Sequence, residues 1–443
     1  MRHRVAATGL MLVLLVAWSA QARGAPFAYI GNGRDCTVSV IDTATNAVTA
    51  TVPVGNEPAG LAVHPFGTRI YVTNNNDNAV QVFDTGTNTL TATVPVGVGP
   101  WGVAVHPAGT RAYVANLNNN TMSVIDTLTN TVTATVPVGV MPWGVAVHPD
   151  GSRVYVANYR DNTVSVIDTV TNTLTATVPV AYNRGALGVA LNPGGTRLYV
   201  TNSLSNTVSV IDTATDTVMA TVPVGSGPLF VAVHPAGTRV YVTNYLDNTM
   251  SVINPTTNTV MTTVTVGRTP RGVAVHPAGT AAYVLNFDDN TVSVINAATN
   301  TVTATIAVGN GPGAFGQFIG PLAPPQFPGL TLGLNQATFH TWQQLTLGGT
   351  VYSGATPVTA DVYVAVQLPD GGLLFLQGDG NLTWNLQPLV RNWPISPFSG
   401  HIFSYDFSGR EPIGDYTWLA AFTQPGTLNF IGPIVSAPFS FSP

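Results

Sequence analysis

Five histidines recur at one position of a repeating pattern, and imidazole is a common ligand of copper and zinc. No cysteine or carboxylate stands beside them at ligand spacing, and each directly precedes a proline that opens a turn. Hydrogen bonding within that turn explains them better, so we expect no metal site and no cofactor. The histidines are His64, His106, His148, His234 and His276, with Asn192 in the equivalent slot of the fifth copy.

Aromatic and arginine side chains occupy a second set of positions, where the copies differ from one another. Aromatic faces beside guanidinium groups are what a polar ligand, a glycan or a protein loop requires. Trp101 and Trp143 each follow a proline in adjacent copies, and either ligand binding or packing between copies would explain them. The candidate ligand-binding residues are Trp101, Trp143, Tyr159, Arg160, Tyr182, Arg184, Phe230, Tyr245, Arg268 and Arg271.

Acidic and amide side chains lie in the same variable segments. Hydrolytic chemistry would need a base with a tuned pKa and usually a partner group or a metal. Glu57 is the only glutamate of the repeat region, and no carboxylate cluster, Ser/His/Asp spacing or phosphate-binding glycine loop accompanies it. We therefore name no catalytic residue. The other polar residues of these segments include Arg34, Asp35, Asp77, Asn118, Asn119, Asp161, Asp247, Asp288 and Asp289.

A repeat of about 42 residues must position all of these side chains. Its clearest copy spans residues 100–139, and a tyrosine that opens a YVxN tetrapeptide marks each copy. A fixed period in this range, made of short apolar runs separated by turn signals, is typical of a radial β-repeat. The seven tyrosines are Tyr29, Tyr71, Tyr113, Tyr155, Tyr199, Tyr241 and Tyr283.

Each copy divides into four predicted strands. In the clearest copy they cover residues 102–106, 112–116, 122–126 and 131–138, separated by the turns HPAGTR and DTLTN and by an Asn-rich loop. The fourth run alternates apolar residues with threonine, the period of a strand with one buried face. Pro137 lies inside it, and a strand proline is tolerated at a sheet edge, so the fourth strand is predicted to be the outer edge.

The phase of the repeat predicts a closed ring. Residues 27–32 form a second strand without a first, whereas residues 311–319 align with a first strand that has no second. Pairing the two fragments would complete a seventh sheet and cover two open edges. We therefore predict an all-β protein with a seven-bladed β-propeller over residues 27–320.

The motifs GVAVHPxGTR and YVTN, YVAN or YVLN resemble those of the YVTN-type β-propeller repeat, found in surface-layer-like and other exported proteins of prokaryotes. The resemblance covers about two-thirds of the chain and implies the propeller fold. Related propellers include lactonases and companions of quinone-dependent dehydrogenases. Members of the family differ in function, so the resemblance does not choose among these roles.

Strand parity divides the predicted propeller into two faces. Loops after the first and third strands share one face, which carries the nearly uniform HPxGTR and DTxTN turns; we call it the His-Pro face. Loops after the second and fourth strands share the other, which differs from copy to copy; we call it the variable face. Rigid scaffolds carry function on loops that vary, so the variable face is the predicted binding face.

The chain begins with a predicted secretory signal peptide, residues 1–22, in which two arginines precede an apolar stretch and an Ala-Gln-Ala cleavage pattern. No later apolar run is long enough for a transmembrane anchor, so we expect a secreted protein in the periplasm, at the cell surface or outside the cell.

A net charge of −5 without a basic run argues against nucleic acid as a partner. The single cysteine, Cys36, is predicted to be a small buried residue at the start of a third strand.

The composition changes after residue 320. Four prolines make residues 321–329 a stiff linker, and irregular strand runs over residues 330–443 predict a β-sandwich domain of immunoglobulin-like type. Tyr416, after Gly414 and Asp415, resembles a tyrosine corner, in which the hydroxyl caps an upstream backbone group.

Three classes of function fit these observations. The favoured one is an exported, non-enzymatic binding or surface-presenting scaffold, whose partner is a cell-envelope protein or glycan docked on the variable face. The second is a propeller enzyme or redox-associated protein, lactonase-like or a companion of a quinone-dependent dehydrogenase. The third is a structural surface-layer component that assembles through lateral contacts.

Overall fold

The computed structural model describes residues 26–180, 185–320, 329–334, 338–339, 344–352, 359–369, 373–376, 382–383, 390–394, 398–406, 412–423 and 435–441. Every regular element among them is a β-strand. None of these residues forms a helix with the length and hydropathy of a membrane span. The predicted signal peptide, almost all of the predicted linker, Tyr182 and Arg184 lie outside the described residues.

Seven antiparallel sheets of four strands each occupy residues 27–313. We number them in the order of their second strands, so that sheet 1 begins at Phe27. The first strands of sheets 1 to 7 are Pro312–Gly313, Pro58–Val63, Pro100–Val105, Pro142–Val147, Ala186–Leu191, Pro228–Val233 and Pro270–Val275. The second strands are Phe27–Asn32, Arg69–Asn74, Arg111–Asn116, Arg153–Asn158, Arg197–Asn202, Val240–Asn244 and Ala281–Asn286.

The remaining two strands of each sheet lie farther from the centre. The third strands are Thr37–Asp42, Ala79–Asp84, Thr121–Asp126, Thr163–Asp168, Thr207–Asp212, Thr249–Asn254 and Thr291–Asn296. The fourth strands are Ala47–Pro53, Thr89–Pro95, Thr131–Pro137, Thr173–Pro179, Thr217–Pro223, Thr259–Thr265 and Thr301–Ala307.

The strand limits agree with the sequence pattern to within about two residues because local turn chemistry sets them. Gly109 has a φ of 74° in the HPxG turn, and Asn130 has a φ of 53° in the DTxTN turn. These left-handed positions favour glycine and asparagine. The fourth strand is the last of each sheet, and Pro137 ends it, which confirms the predicted outer edge.

The apolar cores lie between neighbouring sheets. Between sheets 2 and 3, for example, buried Tyr71, Val80 and Val82 pack against Val103 and Val114. Consecutive first strands contact one another, and the outer strands of sheets 1 and 7 also meet. These repeated four-stranded sheets, packed face to face around a common centre, are the architecture of a β-propeller.

The two unfinished ends of the repeat region pair as predicted. Gly31 and Asn32 pair with Gly313 and Pro312, the amide of Tyr29 donates to the carbonyl of Phe318 at 2.9 Å, and Ala28 bridges Ile319. One buried cluster joins side chains of sheets 1, 2 and 7 with Phe318 and Ile319. This confirms that the start of the repeat region meets its end.

Residues 311–319, the closing segment, do not form an ordinary first strand along their whole length. This corrects the sequence prediction, which aligned all of these residues with a first strand. Between Gly313 and Phe318 the closing segment leaves sheet 1: the amide of Phe315 donates to the carbonyl of Ala59, and its carbonyl accepts from the amide of Val103. Gly316 has a φ of 152°, and a Cβ there would lie 2.5 Å from the carbonyl oxygen of Leu61. Glycine at this position therefore allows Phe315 to enter the centre of the propeller.

The described residues after 328 form two further sheets. One contains Gly329–Leu334, Gln344–Tyr352 and Phe398–Asp406; the other contains Thr338–Phe339, Thr359–Gln367, Leu373–Leu376, Leu382–Thr383, Val390–Pro394, Gly414–Thr423 and Val435–Phe441. The hydroxyl of Tyr416 donates to the carbonyl of Pro412, which confirms the upstream cap predicted for that tyrosine. A sandwich arrangement of the two sheets stays a prediction.

Candidate functional site

On the His-Pro face, the recurring histidines connect neighbouring sheets. Nε2 of His106 lies 3.1 Å from the carbonyl oxygen of Gly151 in the next sheet, and its Nδ1 accepts from the amide of Ala108 at 3.1 Å. The ring is therefore neutral, with the proton on Nε2. The same contact to a glycine carbonyl recurs for His64, His148 and His234. This turn hydrogen bonding is the role predicted for the histidines.

Burial resists protonation of three of the histidines, although the bond to the glycine carbonyl partly opposes this effect at His64 and His106. Desolvation lowers the pKa of His64 to about 4, and it also lowers the pKa values of His106 and His276. Among the described residues, no group of three or more His, Cys, Asp or Glu side chains is arranged to hold a metal ion.

The charged residues of the His-Pro face also have internal partners. Asp168 accepts from the amides of Val170 and Thr171 at 3.0 and 2.8 Å, and these bonds lower its pKa. The guanidinium of Arg153 donates to the carbonyl of Thr213 at 2.9 Å and lies 3.5 Å from Asp216. The recurring polar groups of this face thus stabilise the scaffold.

The variable face contains a second regular pattern, which the sequence analysis did not separate from ligand-binding candidates. The residue six positions after the marker tyrosine accepts from a backbone amide of the preceding inter-sheet loop: Asp161 from Val140 at 2.6 Å, and Asp289 from Arg268 at 2.7 Å. Asp35, Asp77, Asn119 and Asp247 make the same contact. Their recurrence at a fixed offset was the signal that could have assigned them to the scaffold.

Cys36 follows this position in sheet 1, and the other sheets have asparagine there, as at Asn120. Cys36 has a φ of 55° and is only half-buried, with Sγ 3.9 Å from Oδ1 of Asn56. The expectation of a buried residue at the start of a strand was therefore wrong. The residue lies in a turn whose left-handed conformation suits asparagine better.

An aromatic cluster fills the variable end of the propeller centre. The ring of Phe315 lies 5.2 Å from that of Trp101, 5.8 Å from that of Trp143 and 4.4 Å from that of Phe230. The two tryptophan rings are 4.5 Å apart, and the ring of Tyr159 lies 6.1 Å from Trp143. Phe230 and Phe315 are buried, whereas both tryptophans are half-buried.

The tryptophans thus pack against side chains of other sheets, which is one of the two roles predicted from the sequence. Their indole N–H groups, however, have no hydrogen-bond partner among the described residues. Nε1 of Trp101 and Nε1 of Trp143 are buried, and none of the described residues accepts a hydrogen bond from them. A buried donor without an acceptor costs about 1–3 kcal/mol. Partnerless buried acceptors also recur in the scaffold, as at Oδ1 of Asn116 and Asn158, so the two indoles are distinguished by their place in the central aromatic cluster.

Arg271 lies in the same ring of positions as the tryptophans, one residue after the proline of its first strand. Its Cζ is 3.4 Å from the centroid of the Phe287 ring, and Arg34 Cζ is 4.5 Å from the same centroid. No described carboxylate lies within salt-bridge distance of Arg271, and its guanidinium donates no hydrogen bond to a described residue. Burial lowers the pKa of Arg271; the charge of Asp288 and, more weakly, that of Glu57 oppose this effect, whereas the positive charge of Arg34 adds to it.

The other charges around Phe287 are paired. Arg34 lies 3.5 Å from Asp288, and Arg268 lies 2.5 Å from Asp289. Asp288 also accepts from the hydroxyl of Thr269 at 2.5 Å. Arg271 is therefore the one cation of this group of described residues without a carboxylate partner.

The remaining candidates are spread around the variable face. Arg160 is exposed, and Tyr245 is half-buried beside Gly227. The structure brings together Trp101, Trp143, Tyr159 and Phe230; it places Arg268 and Arg271 around Phe287, apart from the Phe315 contacts. Tyr182 and Arg184 cannot be placed, because they lie outside the described residues.

A separate cavity of about 480 Å³ lies on the His-Pro side of Phe230 and Phe315. Sheets 2 to 7 and the closing segment line it, mainly with apolar side chains from the later halves of the first strands, together with His64, Asn192 and Gln317. Phe315 therefore lies between this cavity and the rings of Trp101 and Trp143.

Comparisons with known proteins address the fold. No protein-family model matches the chain, and no curated protein matches it. Hydrazine synthase of Kuenenia stuttgartiensis is 22% identical over 60% of this chain and 91% of its own, with a TM-score of 0.57. A functionally unknown protein from Desulfotomaculum acetoxidans DSM 771 is 17% identical over 65% and 98%, with a TM-score of 0.58.

A candidate 6-phosphogluconolactonase from Bacteroides uniformis ATCC 8492 is 19% identical over 65% of this chain and 98% of its own, with a TM-score of 0.57. At these identities the likeness concerns the fold alone. Together with the repeated four-stranded sheets, it identifies the region before residue 320 as a β-propeller.

Proposed function

We propose that this chain is an exported binding scaffold: a seven-bladed YVTN-type propeller that docks a cell-envelope glycan or protein on its variable face, followed by a β-sandwich domain. The binding residues are Trp101, Trp143, Tyr159 and Arg271, around the variable end of the propeller centre. A binding scaffold needs these side chains only to contact and retain a partner, and it needs no catalytic group.

The observation that carries this proposal is the set of unused donors. Two buried indole N–H groups in the central aromatic cluster lack acceptors among the described residues. The guanidinium of Arg271, at the equivalent position of sheet 7, stacks on Phe287 and also donates to no described residue. Aromatic surface with a few convergent polar groups is the usual make-up of a ligand site. The strong donors of the His-Pro face, such as Nε2 of His106 and the guanidinium of Arg153, instead donate to backbone carbonyls, and the atoms left without a partner there include turn acceptors such as Oδ1 of Asn130 and Asn172.

Binding to envelope material tests the proposal. The mature chain is immobilised, and retention of a purified envelope polysaccharide fraction from the producing cells is measured with Tyr159→Ala and with Arg271→Gln. We expect each variant to lose at least tenfold in retention with an unchanged unfolding midpoint, because both side chains border the site without forming the core. Leu128→Ala, an exposed change in a DTxTN turn, is the matched control.

Equal retention by the Leu128 and Tyr159 variants would contradict a site on the variable face. Absence of any saturable retention by the unaltered chain would contradict the binding role itself.

A lactonase-like enzyme is the second candidate, favoured by the likeness to the candidate 6-phosphogluconolactonase. In that case Glu57, in the inter-sheet loop one position before a first strand, is the available carboxylate base. Turnover of 6-phosphogluconolactone that disappears in Glu57→Gln would support this activity and replace the non-enzymatic role. If hydrolysis does not exceed the spontaneous rate, the lactonase-like activity is ruled out.

A further inference from the structure

The charges around Phe287 indicate what kind of ligand the variable face accepts. Arg34 and Arg268 each have a carboxylate partner, at 3.5 and 2.5 Å, whereas Arg271 has none among the described residues. The carboxylates of Asp288 and Glu57 are near enough to act on the charge of Arg271, but neither forms an ion pair with it, so its N–H donors remain available to a ligand.

The conformation of Arg271 suits a planar anion. Its guanidinium lies against the face of Phe287, with Cζ 3.4 Å from the ring centroid, so that the flat fork is held by stacking rather than by hydrogen bonds. A stacked guanidinium keeps its N–H donors in one plane, which matches the two oxygens of a carboxylate. Half-burial of the residue strengthens such a pair, because less water competes for the donors.

The neighbours of Arg271 leave room for the rest of the ligand. The positions equivalent to Arg271 in sheets 1 and 2, the next around the ring, are Gly313 and Ala59, which have little or no side chain. In sheets 3 and 4 the equivalent positions are Trp101 and Trp143. A ligand that places its anionic group on Arg271 can therefore lay an apolar or ring-shaped body along the small residues toward the indoles.

We infer that Arg271 is a carboxylate-binding residue, and that the ligand of the variable face is a monoanionic molecule or glycan unit that joins a carboxylate to a flat or apolar body. This inference rests on the proposed binding role and names the chemistry of its ligand. A dianionic phosphate fits less well, since only one cation of the group is unpaired.

Benzoate and benzamide, which share shape but not charge, test this inference on the full mature chain. Binding of each is measured by saturation-transfer NMR and by quenching of tryptophan fluorescence. We expect benzoate to bind at least about tenfold more tightly than benzamide, as a charge-assisted bidentate pair allows. Arg271→Gln should abolish this difference without changing benzamide binding.

Arg239→Gln is the matched control, because it removes one arginine from the His-Pro face and alters net charge equally. It should leave the ratio of benzoate to benzamide affinity unchanged. A ratio near one in the unaltered chain, or a ratio that survives Arg271→Gln, would overturn the inference.

Failure of this inference is distinguishable from failure of the proposed function. Envelope retention without discrimination between benzoate and benzamide would leave a binding scaffold for a neutral ligand. Discrimination without envelope retention would leave a carboxylate site and remove the envelope partner.

Discussion

The two ends of the propeller centre use similar residue types for opposite purposes. On the His-Pro face, Nε2 of His106 and the guanidinium of Arg153 bond to backbone carbonyls of other sheets. On the variable face, the indole N–H groups of Trp101 and Trp143 and the guanidinium of Arg271 have no such acceptor among the described residues. These uniform donors thus hold the sheets together, while these variable donors are used by no described residue.

Phe315 forms the boundary between the two ends, so its removal should have the largest effect. Phe315→Ala would leave a void among Trp101, Trp143 and Phe230 and connect it to the cavity on the His-Pro side. We expect a loss of about 3–5 kcal/mol in the free energy of unfolding, measured by urea denaturation. Phe27→Ala, at a residue 39% exposed, serves as the control and should cost far less. Similar losses for both variants would mean that Phe315 does not hold the centre.

Acid should weaken the His-Pro face through His64. The unfolded chain takes up a proton below the ordinary histidine pKa of 6.5, whereas folded His64 stays neutral until about pH 4. The free energy of unfolding should therefore fall as pH decreases from 6.5 to 4, by about 3 kcal/mol from this group, and it should not change through this group above pH 6.5.

Urea titrations at several pH values measure this slope. His64→Asn introduces the side chain that Asn192 already places at the equivalent position of sheet 5. Between pH 4 and 6.5 it should reduce the slope of the unfolding free energy against pH by the equivalent of about one proton taken up on unfolding. An unchanged slope would show that another group causes the acid sensitivity.

The arginines of the two ends should differ in their contribution to stability. Arg153→Gln removes donors to Thr213 and a contact with Asp216, and we expect it to cost about 1–2 kcal/mol in the free energy of unfolding. Arg271→Gln loses mainly the stacking on Phe287 and should cost less than about 1 kcal/mol. Thermal or urea unfolding of the two variants side by side gives the comparison; a larger loss at Arg271 would make it a scaffold residue.

The smallest effect should come from the DTxTN turns. Asp168→Ala removes the acceptor for two turn amides and should cost about 1 kcal/mol. Asp168→Asn should be nearly neutral, because Asn254 and Asn296 accept the equivalent amides in sheets 6 and 7. Equal unfolding midpoints for both variants would show that these bonds contribute nothing.

The scaffold was predictable because its information is local and repeated seven times. The alternation of threonine with apolar residues predicted the fourth strands, and the HPxG and DTxTN turns predicted where strands begin and end. The incomplete first and last copies predicted that the two ends of the repeat region pair, as Tyr29 and Phe318 do. Each of these inferences needed only residues within one repeat or the phase of the repeat.

The site was less predictable because it depends on contacts that no single repeat contains. The sequence allowed Trp101 to be either a ligand residue or a packing residue, since only the entry of Phe315 decides what the indole touches. The glycines on both sides of Ala314 and Phe315 were the available hint that the closing segment departs from a regular strand. The stacking of Arg271 on Phe287 was likewise not predicted, because Arg271 lies on the first strand of sheet 7 and Phe287 lies in the loop after the second strand.

Pairing between residues 28–32 and 312–319 also determines the order in which this chain can fold. Sheets 2 to 7 each form from a single stretch of about 40 residues, so they can assemble as soon as that stretch exists. The second strand of sheet 1 pairs with a strand about 280 residues later in the chain, and contacts of such long sequence separation slow the final step. Until then this second strand is an open edge that another chain can pair with, so a truncated product should aggregate.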